Sequence, residues 1–114
     1  MNGGHRRYNM NFNEYQEFVA SIKRYPEQYK VLYPALGLCG EAGEVAEKVK
    51  KKFRDGEKDC FKEDIRKELG DVLWYISALA GELDITLQEI ADVNKQKLED
   101  RLSRNQIHGN GDNR

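Results

Sequence analysis

Two short segments of the sequence place acids at one spacing around a glycine. Glu41-Ala42-Gly43-Glu44-Val45 and Glu68-Leu69-Gly70-Asp71-Val72 both read acid-x-glycine-acid-apolar, and they stand 27 residues apart. At about 100° per residue, each pair takes the same place relative to the apolar residues of its own helix. The first acid borders the apolar stripe and the second lies one step further out. Joined by a short loop and packed antiparallel, two such helices line one cleft with four carboxylates. Crowded carboxylates repel, and they stay ionised only where cations join them. Oxygen ligands alone suit hard ions, magnesium first and manganese as its substitute, and magnesium completes its shell with water and phosphate oxygens. Acids three apart on a charged helix are ordinarily solvated surface. Repetition, matched offset and the embedded glycines, which let backbones or a ligand come close, weigh against that reading here. A di-iron bundle is the other use of carboxylate pairs, but it needs Glu-x-x-His motifs, and the 2 histidines, His5 and His108, lie near the chain ends.

A second set follows near the end of the chain. Asn94, Lys97 and Arg101 fall on one helical face with Ile90, Ala91 and Leu98. Lys meets phosphate as a point charge and Arg grips it bidentately. The alternative is that both snorkel from the edge of a core. Lys48, Lys50, Lys51, Lys52 and Arg54 form a basic run whose simplest role is to complement a helix C-terminus. Tyr75 follows Asp71 by one turn on the same edge, where its ring either packs on a nucleobase or rims the core. Trp74, with Gly70, Ala78 and Gly81, faces away from the main stripe, and that patch is expected to form a subunit contact.

The elements that must position these residues are helices. Phe12, Tyr15, Val19 and Ile22 recur at helical spacing. Pro26 and Pro34 push their preceding residues away from helical geometry, so a break is expected through Tyr33, with Pro34 in the first turn of a second helix. That helix carries Ala35, Leu38, Ala42, Val45, Val49 and Phe53 on one side and stops at Asp55-Gly56. Asp59 is the expected N-cap of the third helix, with Glu63 and Asp64 early in it. Its stripe is Ile65, Leu69, Val72, Leu73, Ile76, Leu79 and Leu83. A turn over residues 81–85 leads to the capping-box pair Thr86 and Glu89 and a fourth helix. No alternating pattern competes. The expectation is an all-α, four-helix-bundle-like domain over residues 11–105, with an N-terminal arm over 1–10 and a Gly/Asn-rich tail over 106–114.

Bulk properties narrow the partners. The 114 residues suit one domain, and 39% hydrophobic with 34% charged residues suit amphipathic helices. A net charge of −1 gives no field for a nucleic-acid polymer or an anionic membrane. The apolar stretch over residues 72–81 is far short of the ~20 residues that span a bilayer. Cys39 and Cys60 are too few for a disulfide framework and read as reduced thiols of a cytoplasmic protein.

The acid pairs resemble the signature of the MazG-type all-α nucleoside triphosphate pyrophosphohydrolases, Glu-x-x-Glu followed by Glu-x-x-Asp. The match lies in Gly-Glu-Ala-Gly-Glu-Val and Lys-Glu-Leu-Gly-Asp-Val-Leu-Trp-Tyr-Ile, continues through Asn94, Lys97 and Arg101, and spans roughly residues 14–114. The resemblance implies a homodimer or homotetramer in which Glu41, Glu44, Glu68 and Asp71 hold magnesium. It implies that water attacks the α-phosphorus of a nucleoside triphosphate and releases pyrophosphate, with Glu44 the preferred general base. The role implied is clearing of non-standard or surplus nucleotides. In relatives that hydrolyse dCTP the aromatic four residues after the aspartate packs on the base, which is Tyr75 here, but a second base-stacking aromatic is replaced by Lys51. Narrower alternatives are a phosphoribosyl-ATP pyrophosphohydrolase and a dimeric dUTPase; outside catalysis, a helical oligomer that binds structural cations.

Overall fold

The structure is a computed structural model that describes residues 9–56 and 60–104. The expected arm before residue 9, the expected cap Asp59, both histidines and the tail from residue 105 lie outside the described residues. Among the described residues the secondary structure is helical throughout: α1 (Phe12–Ile22), α2 (Leu32–Asp55), α3 (Phe61–Glu82) and α4 (Leu87–Ser103), with a 3-10 turn at Glu27–Tyr29. The class is all-α.

Local chemistry sets the helix ends. Asn11 caps α1: its side chain accepts from the Glu14 N–H at 2.8 Å, and Glu14 reaches back to the Asn11 N–H at 3.2 Å. Thr86 and Glu89 close the expected capping box on α4, at 3.0 and 3.1 Å. α2 begins at Leu32, so Tyr33 is helical although a proline follows it. The missing N–H of Pro34 costs no hydrogen bond, because it falls in the first turn, where no intrahelical partner is needed. α3 runs through Gly81 to Glu82, so Gly81 is not the turn residue. The reversal comes at Asp84, with φ of 58°. Ile85 N–H bonds Ala80 O at 2.9 Å and Asp84 N–H bonds Gly81 O at 3.1 Å, a Schellman closure in which Asp takes the left-handed place glycine usually fills.

α2 and α3 form an antiparallel hairpin, the most extensive helix–helix contact of the chain, while α1 lies across the C-terminal half of α3 and carries α4. Gln16 joins these parts. Its Nε2 donates to Ile85 O at 2.9 Å and Ser77 O at 3.4 Å, and its Oε1 accepts from Leu87 N–H at 3.2 Å. The enclosed residues gather there: Val19, Ser77, Ala78, Ala80 and Leu87. Glu82, at the end of α3, accepts from both Lys23 Nζ and Tyr25 OH at 2.5 Å, and Tyr25 stacks on Tyr33 with centroids 5.3 Å apart.

The expected α3 stripe is only partly covered. Leu69 is 53% and Leu83 51% exposed, and Ile90 and Val93 of α4 are 41% and 65% exposed. The cause is geometric: α4 rests mainly on α1 and does not close over the hairpin. No helix among the described residues is long and apolar enough to cross a membrane.

Candidate metal centre

The hairpin sets Glu41 of α2 against Glu68 and Asp71 of α3. One carboxylate oxygen from each of the three lies within 4.8 Å of the others. Oxygens sharing one ion stand at most about twice the metal–oxygen distance apart, roughly 4.2 Å for magnesium, so small side-chain adjustments would let the three share a single divalent cation. Electrostatics favours that reading. Glu41 holds its proton more tightly than an ordinary glutamate, through burial first and then through the charges of Asp71, Glu68 and Glu44. A bound cation would relieve all of these. Glu44 lies exposed one turn along α2, and it adds to the negative field without joining the convergent three.

Tyr75 follows Asp71 by one turn and packs against α2 at Gly37, one turn before Glu41. Its proton is held more tightly by burial, then by the nearby Tyr33, Glu41 and Asp71. Trp74 meets the Tyr75 ring edge-on, with centroids 5.1 Å apart and planes at 78°. Glu41, Asp71, Trp74 and Tyr75 thus line one open recess of about 290 Å³. Part of the expected patch around Trp74 is covered within the chain, while Gly70 stays exposed and Trp74 borders the open recess. Ala78 is 4% exposed, and a Cβ on Gly81 would lie 3.8 Å from the Gln16 side chain, so α1 of the same chain covers that end of the face.

One neighbour escaped the sequence reading. Tyr15 of α1 is half-buried, and its phenol is shifted upward by burial and by the charge of Asp71. Its place at helical spacing from Val19 marked it as core, and nothing in the sequence tied α1 to the acids.

The phosphate-binding candidates fall elsewhere in the single chain. Asn94 and Lys97 line a groove of about 760 Å³ between α4 and the Leu73–Ile76 side of α3, and this groove shares no lining residue with the acid recess. Arg101 is 2% exposed, enclosed within the chain, in keeping with the inward face on which its spacing put it. The basic run gathers at the far end of the hairpin, where Lys48, Lys51 and Lys52 surround Phe61 and Lys52 Nζ sits 4.5 Å from its ring centroid.

With this geometry established, similarity to known proteins adds a family. The MazG nucleotide pyrophosphohydrolase domain matches residues 29–104, which takes in α2, α3 and α4 and leaves α1 outside. The chain is also 47% identical over 85 residues to the Gene 37 protein of Mycobacterium phage L5, covering 72% of this chain and 75% of that protein. No solved structure matches.

Proposed function

The chain belongs to the MazG nucleotide pyrophosphohydrolase family, and from that premise we propose that it hydrolyses a nucleoside triphosphate to the monophosphate and pyrophosphate with magnesium as its cofactor. The observation that carries this reading is the convergence of Glu41, Glu68 and Asp71. These three are the ligands, with Glu44 beside them. A magnesium ion held there supplies phosphate-charge neutralisation and Lewis acidity; manganese serves as its substitute. Glu44, outside the convergent set, takes a proton from the water whose oxygen attacks the α-phosphorus. The bond from that phosphorus to the bridging oxygen breaks, and pyrophosphate leaves with the electron pair. Tyr75 packs on the nucleobase in the recess beside Glu41 and Asp71.

Asn94 and Lys97 bind the departing phosphates, and Arg101 supports them from inside the chain. Because their groove is separate from the acids of their own chain, the two sets complement each other between copies. A homodimer or homotetramer follows, and it also covers Leu69, Ile90 and Val93.

Pyrophosphate release over a panel of common and modified nucleotides, including dUTP, dCTP and phosphoribosyl-ATP, tests the reading with and without magnesium. Turnover of at least one nucleotide that is abolished by chelator is expected. Failure to release pyrophosphate from any of them would overturn the assignment.

A further inference from the structure

Among the described glycines, Gly37 alone has no room for a side chain. A Cβ built there would lie 2.5 Å from Tyr75 Cδ1 and Cζ and closer still to Cε1, whereas Gly40, Gly43 and Gly70 would meet nothing within 4 Å. One whole edge of the Tyr75 ring therefore occupies the space a side chain would take. Glycine inside a long helix costs stability relative to alanine, and at residue 37 of the 24-residue α2 the backbone is ordinary helix that needs no special φ. The glycine is explained by the ring alone.

We infer that Gly37 is a positioning residue for nucleotide recognition: it lets the edge of the Tyr75 ring close against α2, and this sets the depth and width of the recess beside the acids. The inference rests on the nucleotide reading of that recess and extends it to a residue that touches neither phosphate nor metal. Gly37 lies one turn before Glu41 and Tyr75 one turn after Asp71, so the ring and the carboxylates occupy successive levels of one antiparallel seam. A methyl at residue 37 must displace the ring by about 1 Å to regain van der Waals distance. The backbone of α2 blocks one direction, and Trp74, edge-on at 5.1 Å, stands beside the ring. The open recess is what remains. The displaced ring then narrows the space for a base and leaves the metal ligands in place.

The test uses the whole protein in four forms: wild type, Gly37→Ala, Tyr75→Ala and the double variant. Trp74 is the chain's single tryptophan and is in contact with the ring, so its emission reports ring position without any substrate. Gly37→Ala should shift the emission and raise KM for nucleoside triphosphates by about tenfold while kcat falls less than threefold. In the Tyr75→Ala background the same change should alter neither emission nor KM, and it should raise the melting temperature, since alanine favours the helix once the clash is gone. Unchanged emission in Gly37→Ala overturns the positioning role, as does an equal KM rise with and without the ring. A wild type that hydrolyses no nucleotide overturns the functional reading instead, and the emission comparison still decides whether Gly37 places the ring.

Discussion

Glu41 and Asp71 face each other across the α2–α3 seam with carboxylate oxygens inside 4.8 Å, and Glu68 completes the set. Burial first, and then the charges of Asp71, Glu68 and Glu44, raise the proton affinity of Glu41. An acid whose pKa rises on folding leaves stability untouched below its usual value near 4.5 and lowers it as pH climbs through the folded value. Glu41→Gln should therefore raise the melting temperature of the metal-free protein at pH 7, with the gain vanishing at about pH 4. Magnesium should stabilise wild type more than the variant. Thermal melts across pH check both, and a variant less stable than wild type at neutral pH would refute the clustering.

Catalysis should be the price of that variant's stability, and more so for the α3 acids. Asp71→Asn and Glu68→Gln should each lower kcat by about 100-fold or more, because Lewis-acid assistance is worth several kcal/mol and each 1.4 kcal/mol is tenfold in rate. Their far-ultraviolet circular dichroism should stay native. Near-wild-type turnover in both would remove the metal centre from the mechanism.

Glu82 makes the opposite case. Burial pushes its carboxyl upward, but the hydrogen bonds from Lys23 and Tyr25 outweigh this and hold it below the usual value. A depressed acid stabilises the fold above its unfolded pKa, and the contribution is lost as pH falls through the folded value. Glu82→Gln should cost about 2 kcal/mol in urea unfolding at pH 7, in line with charged hydrogen bonds. The difference from wild type should begin to narrow below about pH 4.5 and go on narrowing as pH falls through the lower folded value. A gap that does not narrow as pH falls would point to packing as the cause.

If the acids and the α4 groove complement each other between copies, two defective chains can repair each other. Mixing Asp71→Asn chains with Lys97→Ala chains after unfolding and refolding should restore about a quarter of wild-type activity, the share of intact sites in randomly paired dimers. Light scattering on the wild type should show no monomer at micromolar concentration. A mixture no more active than its parents would return Lys97 to its own chain's chemistry.

The fold was largely written in local signals. The Thr86–Glu89 box, the Asp55-Gly56 stop and the helical spacing of α1 act over a few residues, so the sequence displays them directly. The repeat of acid-x-glycine-acid pointed to four carboxylates, of which Glu41, Glu68 and Asp71 converge and Glu44 does not. Less local features were hidden. The turn expected over residues 81–85 is there, but that Asp84 would take its left-handed position is not marked by residue type, since a glycine usually fills that place. Gly37 looked like any other helical glycine, since its reason lies 38 residues away in Tyr75. The exposure of Asn94 beside an enclosed Arg101 depends on how α4 leans on α1, a docking angle that periodicity does not encode.

The three bonds of Gln16 have a kinetic meaning. The α2–α3 hairpin joins neighbours in the chain and can form early, since closing a short loop costs little entropy. Gln16 instead ties residues 69 and 71 positions downstream, so its bonds form only after the long intervening chain has folded. Once formed, they hold the reversal between α3 and α4 from outside. Detachment of α1 would release that reversal and let α4 swing away while the acid-bearing hairpin stays intact. Detachment of α1 is therefore the expected first step of unfolding, ahead of any opening of the acid-bearing seam.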